Sequence, residues 1–562
     1  MTKRRSLLFA LLLGVLVMAA WRGNALKAGD AEQTAAAETP VPPPPMGWSS
    51  WNAFSNEIDT KIAMAQGKAM VDSGMAKAGY QYINIDEGWW LGDRDAHGNI
   101  VVDPLQWPAL APGEQAGDMT NIVKYIHGLG LKAGIYTDAG EAGCSFYGPD
   151  LGPPKPHTGS EGHYEQDFLQ FAKWGFDYVK VDWCGGFGEN LDPAVQYAQI
   201  ARAIAHAAAA TGHRLFFSIC NWGNNSPWTW APGIGGVRAA IWRTSGDIVA
   251  PIVANTANAN RKADFTGMLG NFDKGIHPEA EHTGYYNDPD MMVIGMPALT
   301  DSQNRVHMAL WAISAAPLLV GADLTTLSAA TLATLTNPDV IAVDQDTLGL
   351  QGVKVAGDAG REVWSKRLAH SGQSDARRAV VLLNRTGASA EITVRWADLG
   401  LDAGAAAVRD LWTHRDLGTP SDSYAATVPA EDALMLLISG HERAGTRYNA
   451  VAEPHPHPGC CCGAAASMMC GQAKSFRSVK TRGGMSWIQI AYTNAGTAPA
   501  LASLQINGQI ETVVAFPPTG KGPTGTVTIE AALKAEDNAI TFSAPEAGGL
   551  NIDSIEVLPG VE

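Results

Sequence analysis

"YVKVDWCGG", residues 178–186, decides how the first half of the chain is read. Residues 178–181 alternate like the close of a buried strand, and Gly185 and Gly186 then turn the chain. The strand ends on Asp182, with Lys180 two residues back on the same face. One aspartate at a strand end is an ordinary solvated terminus; several strands ending the same way are not. Asp86 and Glu87 end "YINIDEG" (82–88), Asp247 ends "AIWRTSGD" (240–247), and Asp288 and Asp290 flank "YYNDPDMMV" (285–293). Carboxylates gathered at one mouth repel one another unless something uses them.

Further strand-like pieces are "MGWSSW", "KAGIYTD" (132–138), "LFFSICNWG" (215–223) and "APLLVGAD" (316–323), which completes eight candidates. Amphipathic stretches at 61–78, 164–174 and 194–210 alternate with them. Eight strands with helices between them over about 300 residues are the pattern of a (β/α)8 barrel, whose active site lies at the C-terminal strand ends. The fold class is α/β: a barrel over 44–346, an antiparallel β domain over 347–440, and a β-sandwich module over 447–562. Short alternating segments at 353–366, 378–383, 390–395 and 433–438 carry the middle domain, and "SWIQIAYTN", "GTVTIEA" and "GGLNIDSIEV" carry the last.

A chain of 562 residues is too long for one core. Its 46% apolar and 17% charged content describes a packed globular protein, and a net charge of −16 argues against nucleic acid and anionic membrane as partners. Lys3, Arg4 and Arg5 precede a short apolar run and small polar residues, the pattern of a cleaved signal peptide over 1–28. Export would put the seven cysteines in an oxidising compartment. "PHPHPGCCCG" brings His455 and His457 near Cys460, Cys461 and Cys462, but this spacing fits no usual zinc pattern.

Paired carboxylates are the material of glycoside hydrolysis, where one attacks or stabilises the anomeric carbon and another protonates the leaving oxygen. Trp48, Trp51, Trp89, Trp90, Tyr136, Trp183, Trp222 and Trp242 lie near the same strand ends and could stack on sugar. With "MGWSSWN", "AGYQYINIDEGWW", "GLKAGIYTDAG", "KVDWCGG", "WRTSGD" and "NDPDMMVIGM" in order, residues 44–440 resemble glycoside hydrolase family 27, the secreted α-galactosidases.

The resemblance implies a retaining exo-glycosidase acting on oligo- or polysaccharide, with no cofactor for catalysis. Asp182 would be the nucleophile and Asp247 the acid and base. Lys180 and Arg243 would hold the sugar and the carboxylates, and Trp51, Asp86, Glu87, Tyr136, Asn221 and Asp290 match sugar-binding positions. Cys144 and Cys184 match a family disulfide, and the resemblance implies that Cys220 is a buried free thiol, since the segment carrying its usual mate reads "RAAIWR".

Two positions depart from the family. Its second-strand Asp-Asp is Asp86-Glu87 here, and a glutamate after the fifth-strand cysteine is Asn221. In the family that acidic pair accepts from the 4- and 6-hydroxyls, so a longer side chain would intrude on C6 and tilt preference from α-D-galactose to β-L-arabinopyranose. The alternative is an ordinary α-galactosidase. A non-catalytic lectin would be expected to have lost Asp182 or Asp247. Residues 447–562 resemble carbohydrate-binding modules of families 35 and 6. That likeness implies a polymer-binding unit separable from the barrel and a structural calcium on Glu453 and Asp553.

Overall fold

The computed structural model describes residues 39–147, 155–238, 240–248, 263–358, 360–370, 373–452, 473–520, 524–543 and 549–558. The leader, Glu453 and the His/Cys stretch with Cys460, Cys461, Cys462 and Cys470 lie outside them.

Eight strands form the first sheet: β1 (Met46–Ser49), β2 (Tyr82–Asn84), β3 (Lys132–Asp138), β4 (Tyr178–Asp182), β5 (Phe216–Cys220), β6 (Ala240–Arg243), β7 (Tyr285–Asp288) and β8 (Leu318–Val320). Neighbours pair in parallel in the order β8-β1-β2-β3-β4-β5-β6-β7. The barrel closes just past β7, where Met292 bridges Val320 in parallel; its N–H donates to Leu319 O at 2.7 Å, and Gly321 N–H returns the bond at 2.8 Å.

The connecting helices start and stop on local signals. Pro193–Thr211 begins with Asp192, whose side chain accepts from Val195 N–H, has proline in its first turn and ends on Gly212 at φ 75°. The helix expected over 61–78 is two pieces, Thr60–Asp72 and Met75–Ala78, because the chain enters the left-handed region at Gly74 (φ 87°). Asp301–Ile313 opens with a Thr300/Gln303 capping box and packs against both the barrel helices and the next domain.

That next domain is a six-stranded antiparallel sheet, Val353–Asp358 to Asp432–Gly440, with a two-stranded sheet beside it, over a core that includes Val380, Leu382, Trp396, Leu436 and Ile438. The last is a seven-stranded antiparallel sheet whose long strands, Ala473–Asn494 and Gly525–Ser543, enclose Phe476, Ile488, Val514, Phe542 and Ile555. It is docked onto the rest of the chain. Trp487 and Leu558 share an apolar cluster with Leu348 and Leu350. Arg378 of the middle domain lies 4.9 Å above the Trp487 ring. Ala515 N–H donates to Thr283 Oγ1 at 3.2 Å, and Arg238 Nε to Pro499 O at 2.6 Å. Thr283 and Arg238 precede the starts of β7 and β6, so the module covers the barrel end opposite the acidic residues.

Candidate active site

Strand polarity puts Asp138 and Asp182 side by side as the last, paired residues of β3 and β4. Asp288 ends β7, while Asp86 and Glu87 lie just past β2. Asp247 is not at a strand end as expected: β6 stops at Arg243, and the aspartate sits four residues on, in the following loop. Among the described residues the mouth therefore buries six carboxyl groups, Asp86, Glu87, Asp138, Asp182, Asp288 and Asp290. Two cations sit among them, Arg243 with its side chain 4% exposed and Lys180 at 14%.

Lys180 Nζ stands 3.0 Å from Asp86 Oδ2 and 3.6 Å from Asp182 Oδ2, and 5.2 Å over the Tyr136 ring. Burial pulls its pKa down, but Asp86 and the other nearby charges more than reverse that and hold the ammonium charged. Burial pushes Asp182 above the usual carboxylate range; Lys180 opposes this, and the Asp86 and Asp247 charges add to it. Trp183 N–H donates to Asp182 Oδ1 at 3.0 Å and fixes the carboxylate's plane.

Arg243 serves the other side. Its NH2 lies 3.0 Å from Ser245 O and 3.1 Å from Asp247 Oδ1, and its NH1 lies 3.0 Å from Asp290 Oδ1. Asp290 is bound up in holding this loop, since its Oδ2 accepts from Ile248 N–H at 2.8 Å and its Oδ1 from Met291 N–H at 2.8 Å. It does so from a left-handed backbone, φ 113°, a conformation that costs energy outside glycine. Burial carries its carboxyl up to about 7. Asp247 differs from the buried acids, with its side chain 41% exposed. A chamber of about 20 Å³, room for one water, lies among Asp86, Lys180, Cys220, Arg243, Asp288 and Asp290.

Glu87 is fully buried, and burial lifts its carboxyl to about 7 against the pull of two Ser145 donors. Tyr136 OH lies 3.5 Å from Glu87 Oε2 and 3.4 Å from Cys144 Sγ. Asn221 donates from Nδ2 to Asn224 O at 2.5 Å, and its Oδ1 is buried with no donor among the described residues. Trp51 is half-buried at the edge of an apolar cluster that includes Tyr178, Ile241, Tyr286 and Met291. Cys144 and Cys184 are disulfide-bonded, and Cys220 is a buried free thiol. Asp138, Cys144, Asp182 and Cys184 lie close enough together to share an ion. The two sulfurs are bonded to each other, however, and a disulfide is not a thiolate ligand. In the last module Asp553 is exposed and accepts from Asn551 Nδ2.

Sequence reasoning passed over Asp138 and Ser145. Asp138 accepts from Gly140 N–H at 2.7 Å, Cys184 N–H at 2.7 Å and Gly185 N–H at 3.0 Å, and so pins the loop behind the nucleophile candidate. The two loops meet backbone to backbone: a Cβ on Gly140 would come within 2.3 Å of Gly185 C. Asp138 ends its strand as Asp182 does, which was a usable signal. Ser145 carried none, since its partner lies 58 residues away.

Known proteins match this arrangement. The family described as Alpha galactosidase A covers residues 43–346, the Alpha galactosidase C-terminal beta sandwich domain covers 358–438, and the Alpha-galactosidase, CBM13 domain covers 473–557. An α-galactosidase of Oryza sativa subsp. japonica is 37% identical over 396 residues, 70% of this chain and 84% of that one. The crystal structure of α-galactosidase I from Mortierella vinacea superposes with a TM-score of 0.60 at 28% identity, over 71% of this chain and 98% of its own. A family 27 β-L-arabinopyranosidase from Geobacillus stearothermophilus, solved with arabinose, gives a TM-score of 0.57 at 20% identity, over 71% of this chain and 97% of its own, a likeness of fold. The chain belongs to the α-galactosidase family and is a glycoside hydrolase of the family 27 type.

Proposed function

We propose that the protein is a retaining exo-α-galactosidase that releases terminal α-D-galactosyl residues from oligo- or polysaccharides. The observation that carries this is Asp182 at the end of β4, buried beside a charged Lys180, with the half-exposed Asp247 held by Arg243 near enough for its charge to act on Asp182. Asp182 attacks C1 of the sugar while Asp247 gives its proton to the glycosidic oxygen, which leaves with the bonding pair. Asp247 then takes a proton from water, whose oxygen attacks C1 and frees Asp182. Lys180 keeps Asp182 ionised for the first step, and Arg243 orients Asp247. The leader-like 1–28 segment and the Cys144–Cys184 bond support export.

The pentose preference expected from Glu87 has less support. The relatives in sequence are α-galactosidases, and the arabinopyranosidase likeness is one of fold. The test is hydrolysis of p-nitrophenyl α-D-galactopyranoside and β-L-arabinopyranoside by the full chain, alongside Asp182→Ala. The galactoside should be preferred, and the variant should lose on the order of 10⁴-fold in kcat, with azide restoring part of the rate by filling the vacated space. Near-normal turnover by Asp182→Ala would reject the assignment.

A further inference from the structure

Glutamate at position 87 is one methylene longer than the family's aspartate, and the structure shows where the extra reach goes. Glu87 Oε1 accepts from Ser145 N–H at 2.8 Å and from Ser145 Oγ–H at 2.6 Å. Ser145 is 4% exposed and follows Cys144, whose disulfide partner Cys184 is two residues past Asp182. The grip closes from a third side. A Cβ on Gly143 would lie 2.6 Å from Glu87 Oε1 and 2.9 Å from the Trp90 ring, so residue 143 must be bare for the carboxylate to pass. Among the described residues, Oε2 has the Tyr136 hydroxyl as its donor, at 3.5 Å. An ionised carboxylate offers about four acceptor positions over two oxygens, and here Ser145 takes two on one oxygen while the other meets the Tyr136 hydroxyl.

We propose that Ser145 is a specificity-determining positioning residue, which draws the Glu87 carboxylate onto the loop after β3 so that the longer side chain spares the space for a hexose C6. This rests on the α-galactosidase reading, in which the second-strand acids face the sugar's 4- and 6-hydroxyls. A glutamate released from Ser145 has the length to swing toward that space, where it would crowd a hydroxymethyl group and leave polar groups unpaired. A pentopyranose, which lacks the group, would not be crowded. Ser145 therefore lets a glutamate work where the family uses an aspartate.

The test is a double-mutant cycle on the full chain: wild type, Ser145→Ala, Glu87→Asp and the pair, with Ser145→Thr as the variant that keeps the hydroxyl. The readout is the kcat/KM ratio of the two p-nitrophenyl glycosides, galactoside over arabinopyranoside. Ser145→Ala should lower the ratio roughly tenfold, the low end of what one methylene decides in a pocket, mainly through the galactoside KM. Ser145→Thr should hold the ratio near wild type. In the Glu87→Asp background the shorter arm falls away from Ser145, and removing the hydroxyl should change the ratio less than about twofold. Gly143→Ala puts a methyl 2.6 Å from Oε1, in the space the clamped carboxylate occupies, so it displaces the carboxylate from Ser145 and should shift the ratio in the same direction, which keeps the test open if Ser145→Ala does not fold. An equal shift in both backgrounds would make Ser145 a loop residue only, and an unmoved wild-type ratio would remove the clamp. A wild type that cleaves neither glycoside would instead overturn the reading beneath.

Discussion

The barrel mouth and the middle β domain both bury charged side chains, and the two clusters are balanced in opposite directions. In the β domain a single carboxylate, Glu442, meets Arg367 at 2.6 Å, Arg378 at 2.5 Å and His370 at 2.8 Å. Burial pushes its pKa up, but the His370 hydrogen bond and the Arg378 and Arg367 charges outweigh it and hold the carboxyl well below its usual range. At the mouth, six buried carboxyls share Lys180 and Arg243, and burial wins: Asp138 and Asp182 are raised, and Glu87 and Asp290 reach about 7. The first cluster is complete without a ligand. The second has fewer positive charges than carboxyls, a shortfall that the developing oxocarbenium charge of a bound sugar answers.

The largest effect should come from breaking the complete cluster. Glu442→Gln leaves two buried guanidinium groups facing an amide and should cost ~3–5 kcal/mol of stability, read by denaturant titration, while kcat of the folded protein stays within about twofold. The pH dependence follows from the direction of the shift. A carboxyl held low in the folded state stabilises fully above its unfolded pKa of about 4.3 and loses that contribution as pH falls. The wild type should therefore destabilise more steeply than Glu442→Gln on acidification. A variant with unchanged stability would show that the arginines do not depend on Glu442.

Neutralising a member of the incomplete cluster should act with the opposite sign and a smaller size. Glu87 is raised to about 7, so folding is penalised as pH climbs from the unfolded value through that range. Glu87→Gln removes the penalty and should gain at most ~4 kcal/mol at pH 8, with little change near pH 4. Melting temperatures at the two pH values read the difference. Stabilisation at pH 4 and none at pH 8 would reverse the sign and contradict the balance described for the mouth.

The barrel was legible because each strand carries its own apolar run and each βα unit its own helix signals, so little depends on distant residues. Asp182, Asp86 and Lys180 were legible for the same reason, since strand register fixes which end and face they occupy. Glu442 was not, because its partners lie 64 to 75 residues away. Nor was the clamp on Glu87, made by a loop that only folding brings back. Nor did the sequence show that Asp290 also holds the Ile248 and Met291 N–H groups and Arg243. The last module read as a β-sandwich, and its match is to a carbohydrate-binding domain; what the sequence did not show is that it docks onto the rest of the chain through Trp487 and Leu558. Alternation reveals that a strand has an apolar face; it does not reveal which neighbour that face meets.

In the proposed reaction Asp182 forms the covalent bond to the sugar, and trapping that bond tests this most directly. A 5-fluoro-α-D-galactosyl fluoride destabilises the transition state of the second step and lets the glycosyl-enzyme accumulate. Peptide mass spectrometry of the inactivated full chain should place one galactosyl-derived adduct on Asp182 and none on Asp247. An adduct on Asp247, Asp288 or Asp290, or complete inactivation of Asp182→Asn with a label elsewhere in the mouth, would contradict the account.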